Sequence, residues 1–558
     1  MNIQVLDFSE ANCKNCYKCV RACKVKAIKV KDNQARIEKD LCIECGQCFL
    51  VCSQNARKIH SDLPKVKIFL DNSEKVILSI APSYKGYFQD SSKFIGLLKK
   101  MGFYKIEETG VAASYISKEY ENYVTNCEKN IFLTSACASI NSLIEKHYPQ
   151  FIDYLIPVKT PLLLHGELLR NKYPDSKIVF LGPCLSKKTE VLSEDFEGLI
   201  DAVLTFDEII DEYGNYNDIE PSKVDLEAPP RGELFPTIGG INDFLELQGY
   251  KKLSVQGLDE SVAFFNSLDK LKDKKLFIEI NACIGSCLGG PGGEKTNTSY
   301  FERMLNLETN LLDISNHEDT YKEANLNYKR DFYNKKPILK EVSEQEIQEV
   351  LFSMEKYSKA DELNCAACGY NSCREKAIAV INGMSTIDMC IPFMRTKAER
   401  ISNELFSNSP NGVFILDRNL IITDLNQAAK EKFYCDEKAI GRPISSYIND
   451  EDFQLVLESK KNIIKKRENY SNYNLIALKN IIYLENQEAL LVIITNITKE
   501  EKQREELQSM KKSTLLLTQD VINKQMRVAQ EIASLLGETT AETKVALTKL
   551  KHIVEGEF

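Results

Sequence analysis

The sequence predicts a multidomain chain that combines α/β and α+β units. Three observations carry this expectation: 18 cysteines gathered in clusters along 558 residues, a repeated strand-then-turn design in the middle of the chain, and paired β-rich runs near the C-terminus. A chain this long exceeds what one hydrophobic core organises, so three to five domains are expected.

Composition narrows the function classes. With 43% hydrophobic and 27% charged residues the chain reads as ordinary globular protein. A net charge of −9, with Lys-rich stretches interleaved by acids, leaves no electrostatic footprint for nucleic acid. The start, Met1 to Phe8, lacks the pattern of an export signal, and no run approaches the roughly 18 apolar residues of a membrane span. The expected location is the cytoplasm, where cysteines serve metal ligation better than disulfides.

The first element is a tandem. Cys13, Cys16, Cys19 and Cys23 have the spacing CxxCxxCxxxC, and Cys42, Cys45, Cys48 and Cys52 repeat it. At this cysteine frequency one such pattern arises by chance roughly three times in 100,000 positions, so a repeat is no accident. Zinc is the alternative, but zinc knuckles use two thiolates rather than three in a row. The tandem resembles the two-cluster bacterial ferredoxin. That resemblance implies two 4Fe–4S clusters, one on Cys13, Cys16, Cys19 and Cys52, the other on Cys42, Cys45, Cys48 and Cys23. The family's proline after each fourth cysteine is replaced by Lys24 and Ser53, which leaves the cluster potentials open.

The next element spans residues 73–298. KVILSIAPSY (75–84), IFLTSAC (131–137), KIVFLGPC (177–184) and KLFIEINAC (275–283) each read as a strand closed by a small-residue turn. Helical stretches at Ser139 to Lys146 and Pro161 to Lys172 alternate with them, which predicts a parallel sheet whose site lies at the strands' carboxyl ends. Four motifs follow in order: Ala81 to Ser83, Thr134 to Cys137, Gly182 to Glu190, and Asn281 to Gly293. TIGGI (237–241) lies between the last two.

Behind a ferredoxin module, this series resembles the active domain of the FeFe hydrogenases. The resemblance implies an H-cluster, a 4Fe–4S cubane on Cys137, Cys184, Cys283 and Cys287, with Cys287 bridging to a two-iron unit carrying carbonyl and cyanide ligands. It gives Lys187 and Cys287 catalytic roles, with Lys187 binding an iron-bound cyanide, and sets Pro82 and Ser83 over the second cyanide. Glycines Gly289, Gly290, Gly292 and Gly293 are expected to let backbone approach the bulky cofactor. Glu190 reads either as the family's acid or as an ion-paired carboxylate.

Departures from the family also face the cofactor. Ala136 replaces a proton-relaying cysteine, and Gly182 and Asn281 replace methionines. Alanine cannot carry a proton, so turnover should be slow. These losses resemble the sensory branch of the family; relatives that lost the two-iron unit are the alternative.

Residues 299–355 read as a charged helical connector, a pattern running on to about residue 362. Residues 356–397 hold Cys365, Cys368 and Cys373, followed by Cys390. They resemble a small helical four-cysteine 4Fe–4S domain, with zinc the alternative. Residues 398–500 resemble a PAS domain: SPNGVFILDRNLIITDLNQAA supplies the opening hairpin and helix, and two later runs (473–484 and 488–501) complete a small sheet. Cys127 and Cys435 read as buried small hydrophobes. Residues 501–558 read as signalling helices, with His552 in a helix and no kinase domain following.

The expected function is an iron–sulfur hydrogen or redox sensor on an FeFe-hydrogenase core, with slow chemistry coupled to a PAS output. The alternatives are an active ferredoxin-linked hydrogenase, or a redox sensor lacking the two-iron unit. Expected partners are H2 and protons, an electron carrier such as ferredoxin, a kinase or phosphatase, and a second copy through the PAS domain and C-terminal helices.

Overall fold

A computed structural model describes residues 5–8, 12–214, 216, 218–311, 326–338, 340–536, 544–546 and 548–551. The chain divides into two compact units, Met1–Phe393 and Met394–Phe558.

In the first unit, the tandem cysteine module builds two antiparallel ribbons, Leu6–Phe8 with Arg57–Ile59 and Ile28–Lys31 with Gln34–Ile37. Short helices Lys18–Ala22 and Gln47–Leu50 occupy equivalent places in its two halves.

The central α/β region holds two parallel sheets where one was expected. The first orders strands Lys105–Glu108, Val76–Ile80, Lys177–Leu181 and Ala202–Leu204. The second orders Lys251–Gln256, Leu276–Asn281 and Ile131–Leu133. The strand-ending motifs look alike in sequence, yet register divides them: Ile131 pairs with Leu276, far along the chain, while Val76 pairs with Lys177. Val76–Ile80 and Leu276–Asn281 are buried throughout, as parallel strands covered on both faces must be. Helices Ala138–His147 and Pro161–Lys172 lie where the periodicity places them.

The connector is only partly helical, which corrects the sequence expectation. Helix Tyr300–Leu311 buries Arg303, whose guanidinium donates to the carbonyls of Leu288 (2.9 Å) and Gly293 (3.2 Å). Residues 326–338 contain no helix and run along the α/β region. Lys159 N donates to Tyr328 O (2.8 Å), Arg330 N to Pro157 O (3.1 Å) and Lys335 N to Glu145 O (2.9 Å). Backbone partners on a neighbouring surface override the helical propensity of this charged segment. Helix Glu344–Ser353 then begins at a capping box on Ser343 and Glu346.

In the second unit, a five-stranded antiparallel sheet has the order Ile422–Leu425, Gly412–Leu416, Ala489–Asn496, Leu475–Leu484, Ile463–Tyr470. The last strand is absent from the sequence expectation. IIKKRENY is exposed along most of its length and lacks the apolar alternation that marks a half-buried strand. Asn426 locks the opening hairpin to its helix: Oδ1 accepts from Val413 N (2.8 Å) and Ala429 N (2.9 Å), and Nδ2 donates to Asn411 O (2.8 Å). Helix Thr498–Leu536 follows the sheet. His552 lies outside the described residues. Among the described residues no helix is long and apolar enough to cross a membrane. Cys127 and Cys435 are half-buried rather than buried.

Candidate metal centre

The cysteine loops share a costly backbone pattern. Asn15 (φ 52°) and Tyr17 (φ 56°) flank Cys16, and Glu44 (φ 50°) and Gly46 (φ 76°) flank Cys45. Asn364 (φ 46°) and Ala366 (φ 54°) flank Cys365 in the same way. A left-handed residue other than glycine costs roughly 1–2 kcal/mol, so five such residues at matching places indicate a local demand. Successive turns of this kind aim N–H groups into a concavity that suits an anionic group.

In the tandem cysteine module, Ala27 N donates to Cys23 Sγ (3.2 Å) and Ala56 N to Cys52 Sγ (3.4 Å), each four residues after its cysteine. Burial raises the Cys42 and Cys45 thiols, with Cys23 and Cys48 among the neighbours that add to the effect. The Cys48 thiol is pushed up to about 12, again chiefly by burial, with Cys23 and Cys19 close by. Cys23 therefore keeps company with the second triplet. A metal resolves the conflict of buried, clustered thiols by displacing their protons.

The central site forms where strands from both sheets end. Pro82 and Ser83 follow Val76–Ile80, Ala136 and Cys137 follow Ile131–Leu133, and Cys184 follows Lys177–Leu181. Together with Lys187, Asn281 and Cys287 they line a cleft of about 740 Å³, a volume that includes open solvent. Cys283 sits behind the lining. Its thiol is raised well above normal by burial and then by Cys184, Cys137 and Cys287. Burial pushes Cys287 up to about 12, with Cys184 and Cys137 adding to it. Cys287 is exposed, and it lines the cleft. The four sequence-predicted thiols thus meet.

Lys187 Nζ donates to Glu190 Oε2 (2.7 Å) and lies 3.4 Å from Ala136 O. Glu190 also accepts from Thr160 (3.0 Å) and from Arg330. Burial works to raise its pKa, but Lys187 and Arg330 outweigh burial and hold it below the usual carboxylate value. The ion-paired reading of Glu190 is the one the structure contains. Arg330 carries no sequence signal, because the segment holding it looks like any charged connector. Beneath Asn281, Glu279 accepts from Gly239 N (3.1 Å), Ile241 N (3.2 Å) and Asn242 N (3.1 Å), pinning the TIGGI loop whose Ile241 lines the cleft.

One expectation needs correction. Gly182 does not line the cleft; a Cβ there would stand 2.9 Å from both Ala81 Cβ and the Phe180 ring. The four glycines each meet their own chain closely. A Cβ at Gly289 would fall 1.8 Å from Ile284 O, at Gly290 2.8 Å from Pro183 O, at Gly292 2.9 Å from Thr205, and at Gly293 2.2 Å from the Tyr87 ring. They permit the loop to pack against its own chain, which sets Cys287 at the cleft.

Cys365, Cys368, Cys373 and Cys390 line one small cavity, with helix Cys373–Ile381 capped by Ser372, whose Oγ accepts from Glu375 N (3.0 Å). Among the described residues no three His, Cys, Asp or Glu side chains are arranged around a single ion. A cubane makes no such demand, since each thiolate binds a different iron. The donor sets fit iron–sulfur clusters. The central cleft also carries a spare donor, the buried Ser83 Oγ, which lacks a partner.

Three parts of the chain match known families. Residues 74–246 match the family "iron only hydrogenase large subunit, C-terminal domain", residues 361–392 an Fe–S cluster family, and residues 399–467 the PAS domain family. Iron hydrogenase 1 of Clostridium pasteurianum is 28% identical over 343 residues, covering 48% of this chain and 59% of that protein. The NADP-reducing hydrogenase subunit HndD of Solidesulfovibrio fructosivorans is 23% identical, covering 45% of this chain and 56% of that protein. The chain thus spans little more than half the length of these two relatives. The cytosolic Fe–S cluster assembly factor NAR1 of Encephalitozoon cuniculi is 25% identical, covering 49% of this chain and 84% of that protein. A solved variant of the FeFe-hydrogenase HydA1 from Chlamydomonas reinhardtii aligns with a TM-score of 0.38 at 17% identity, covering 50% of this chain and 100% of that one. The chain therefore joins a domain of the iron-only hydrogenase large-subunit type to an Fe–S cluster domain and a PAS domain.

Proposed function

We propose that the chain is a hydrogen or redox sensor, in which slow proton and electron chemistry at the central cleft is passed to the PAS domain. The observation that carries this reading is the meeting of Cys137, Cys184, Cys283 and Cys287 at a cleft that Lys187 lines and that has no thiol at position 136. When bound, an H-cluster would supply reversible hydrogen splitting and proton reduction. The four thiolates would hold its cubane, with Cys287 at the cleft side, while Lys187 and Ser83 would offer donors to its anionic ligands. Glu190 keeps Lys187 oriented and Arg330 shares the charge. Ala136 supplies no acid, so protons arrive slowly, as suits a detector rather than a producer of hydrogen.

Electrons have a short way out. Cys45 of the ferredoxin module is among the groups that act on Cys283. Lys146 and His147, on the helix after Cys137, bond the backbone of the second cysteine loop, Lys146 Nζ to Lys39 O (3.0 Å) and the His147 ring to Leu41 O (2.8 Å). A soluble ferredoxin is the expected external carrier. Because the helix Ile391–Asn408 begins beside Cys390 and leads to the PAS sheet, output is expected through the second unit to a kinase or phosphatase, with a second copy paired through PAS and C-terminal helices.

One observation favours a second reading, an iron–sulfur redox protein without the two-iron unit: the Lys187 ammonium is already engaged by Glu190 and lies near Ala136 O. Infrared spectroscopy of anaerobically matured protein separates the two. Metal-bound carbonyl and cyanide bands are expected, and a blank spectrum in that region from fully iron-loaded protein would establish the second reading.

A further inference from the structure

The four-cysteine domain shares a hydrophobic core with the ferredoxin-like module. Tyr370, Ala379 and Met389 are buried in the same cluster as Cys19, Val20 and Cys23. Gly369, at φ +92°, approaches so closely that a Cβ would stand 2.8 Å from Val20. Lys26 Nζ donates to Gly369 O (2.6 Å), Val30 N to Met384 O (3.0 Å), and Arg21 bridges Cys16 O (3.0 Å) and Ala367 O (3.1 Å). The two sets of thiols are thereby held side by side, with Tyr370 near both Cys23 and Cys368.

Against this junction lies a buried cation. Lys376 is 1% exposed, yet its ammonium donates only to neutral groups, the Ser385 hydroxyl and Thr386 O (2.7 Å), and sits 5.4 Å from the Tyr370 ring centroid. Among the described residues no carboxylate lies against it; Cys368 and Cys390 are the ionisable neighbours that act on it. A buried ammonium without an anion costs several kcal/mol. Lys376 lines the cavity that the four thiols surround.

We propose that Lys376 is the built-in counter-charge of a 4Fe–4S cluster on Cys365, Cys368, Cys373 and Cys390, making it the electron sink reached from the cluster that includes Cys23. A cubane on four thiolates is anionic and gains one further negative charge when it accepts an electron. A fixed ammonium in a low-dielectric surrounding favours that reduced form, which raises the potential. One electron leaves the neighbouring cluster and one arrives here; no bond is made or broken. The domain that leads into the PAS unit would then be the first to fill and would hold its electron longest.

The inference rests on the reading that both modules hold clusters. The test is an EPR-monitored redox titration of the full-length, anaerobically reconstituted protein with dithionite. In the unsubstituted protein one accessory cluster is expected to reduce at a more positive potential than the others, and its signal should be broadened by spin coupling to a reduced neighbour. Lys376→Met should move that one midpoint to more negative potential and leave the others in place. An unmoved midpoint, or an equal shift of all clusters, overturns the role of Lys376. Should Lys376→Met fail to hold the cluster, the unsubstituted protein decides: coupling that disappears in Cys373→Ala supports the wiring, and its absence from the start refutes it. If Cys373→Ala instead loses neither iron nor signal, the domain holds no cluster, and the underlying reading fails first.

Discussion

Lys187 and Glu190 form an ion pair of 2.7 Å within one turn of a short helix, and Arg330, far along the chain, closes on the other carboxylate oxygen. One buried carboxylate thus pairs with two cations at the wall of the cleft.

Replacing that acid should be severe. Glu190→Gln leaves Lys187 and Arg330 without their counter-charge, and breaking a buried pair in this way typically costs about 3–5 kcal/mol. Anaerobic urea denaturation should show the loss at neutral pH. Because its pKa is held down, the stabilisation by Glu190 should be present above the ordinary carboxylate range and fade as pH falls through the lowered value.

Restoring a thiol at the cleft should accelerate chemistry. Ala136→Cys is expected to raise hydrogen evolution from a reduced dye by roughly 100-fold or more, the usual worth of a positioned acid. No gain, in protein that shows carbonyl and cyanide bands, would mean that proton delivery does not limit turnover.

Glu279 gives the site a pH dependence. Burial raises this carboxyl to about 7, against the three backbone N–H bonds that favour its charged form. Its stabilising effect should be complete below the ordinary glutamate pKa and be lost as pH rises through about 7. Thermal unfolding across that interval should therefore fall with rising pH in the parent and be flatter in Glu279→Gln; parallel profiles would exclude this group as the cause.

The glycine-rich loop should tolerate no side chain. Gly289→Ala would drive a Cβ to 1.8 Å from the Ile284 carbonyl. A loss of about 1–3 kcal/mol, typical of overpacking, should appear together with loss of iron from the central site while ferredoxin-type signals persist.

Much of this protein can be read along the chain because its chemistry is local. Thiols repeated at fixed spacing announce cluster loops, apolar runs ending in small residues announce strands that end at a site, and Asp417 to Asn419 announces the turn of a hairpin. What the linear order conceals depends on pairing across distance. That Ile131 joins Leu276 rather than Val76, and so makes two sheets, follows from register and burial on both faces. That Arg330 reaches Glu190 follows from an extended segment finding backbone partners where helical propensity alone would have coiled it. And Lys376 is unremarkable in its helix until folding withdraws it from water beside four thiols, where the cost of an unpaired charge makes it informative.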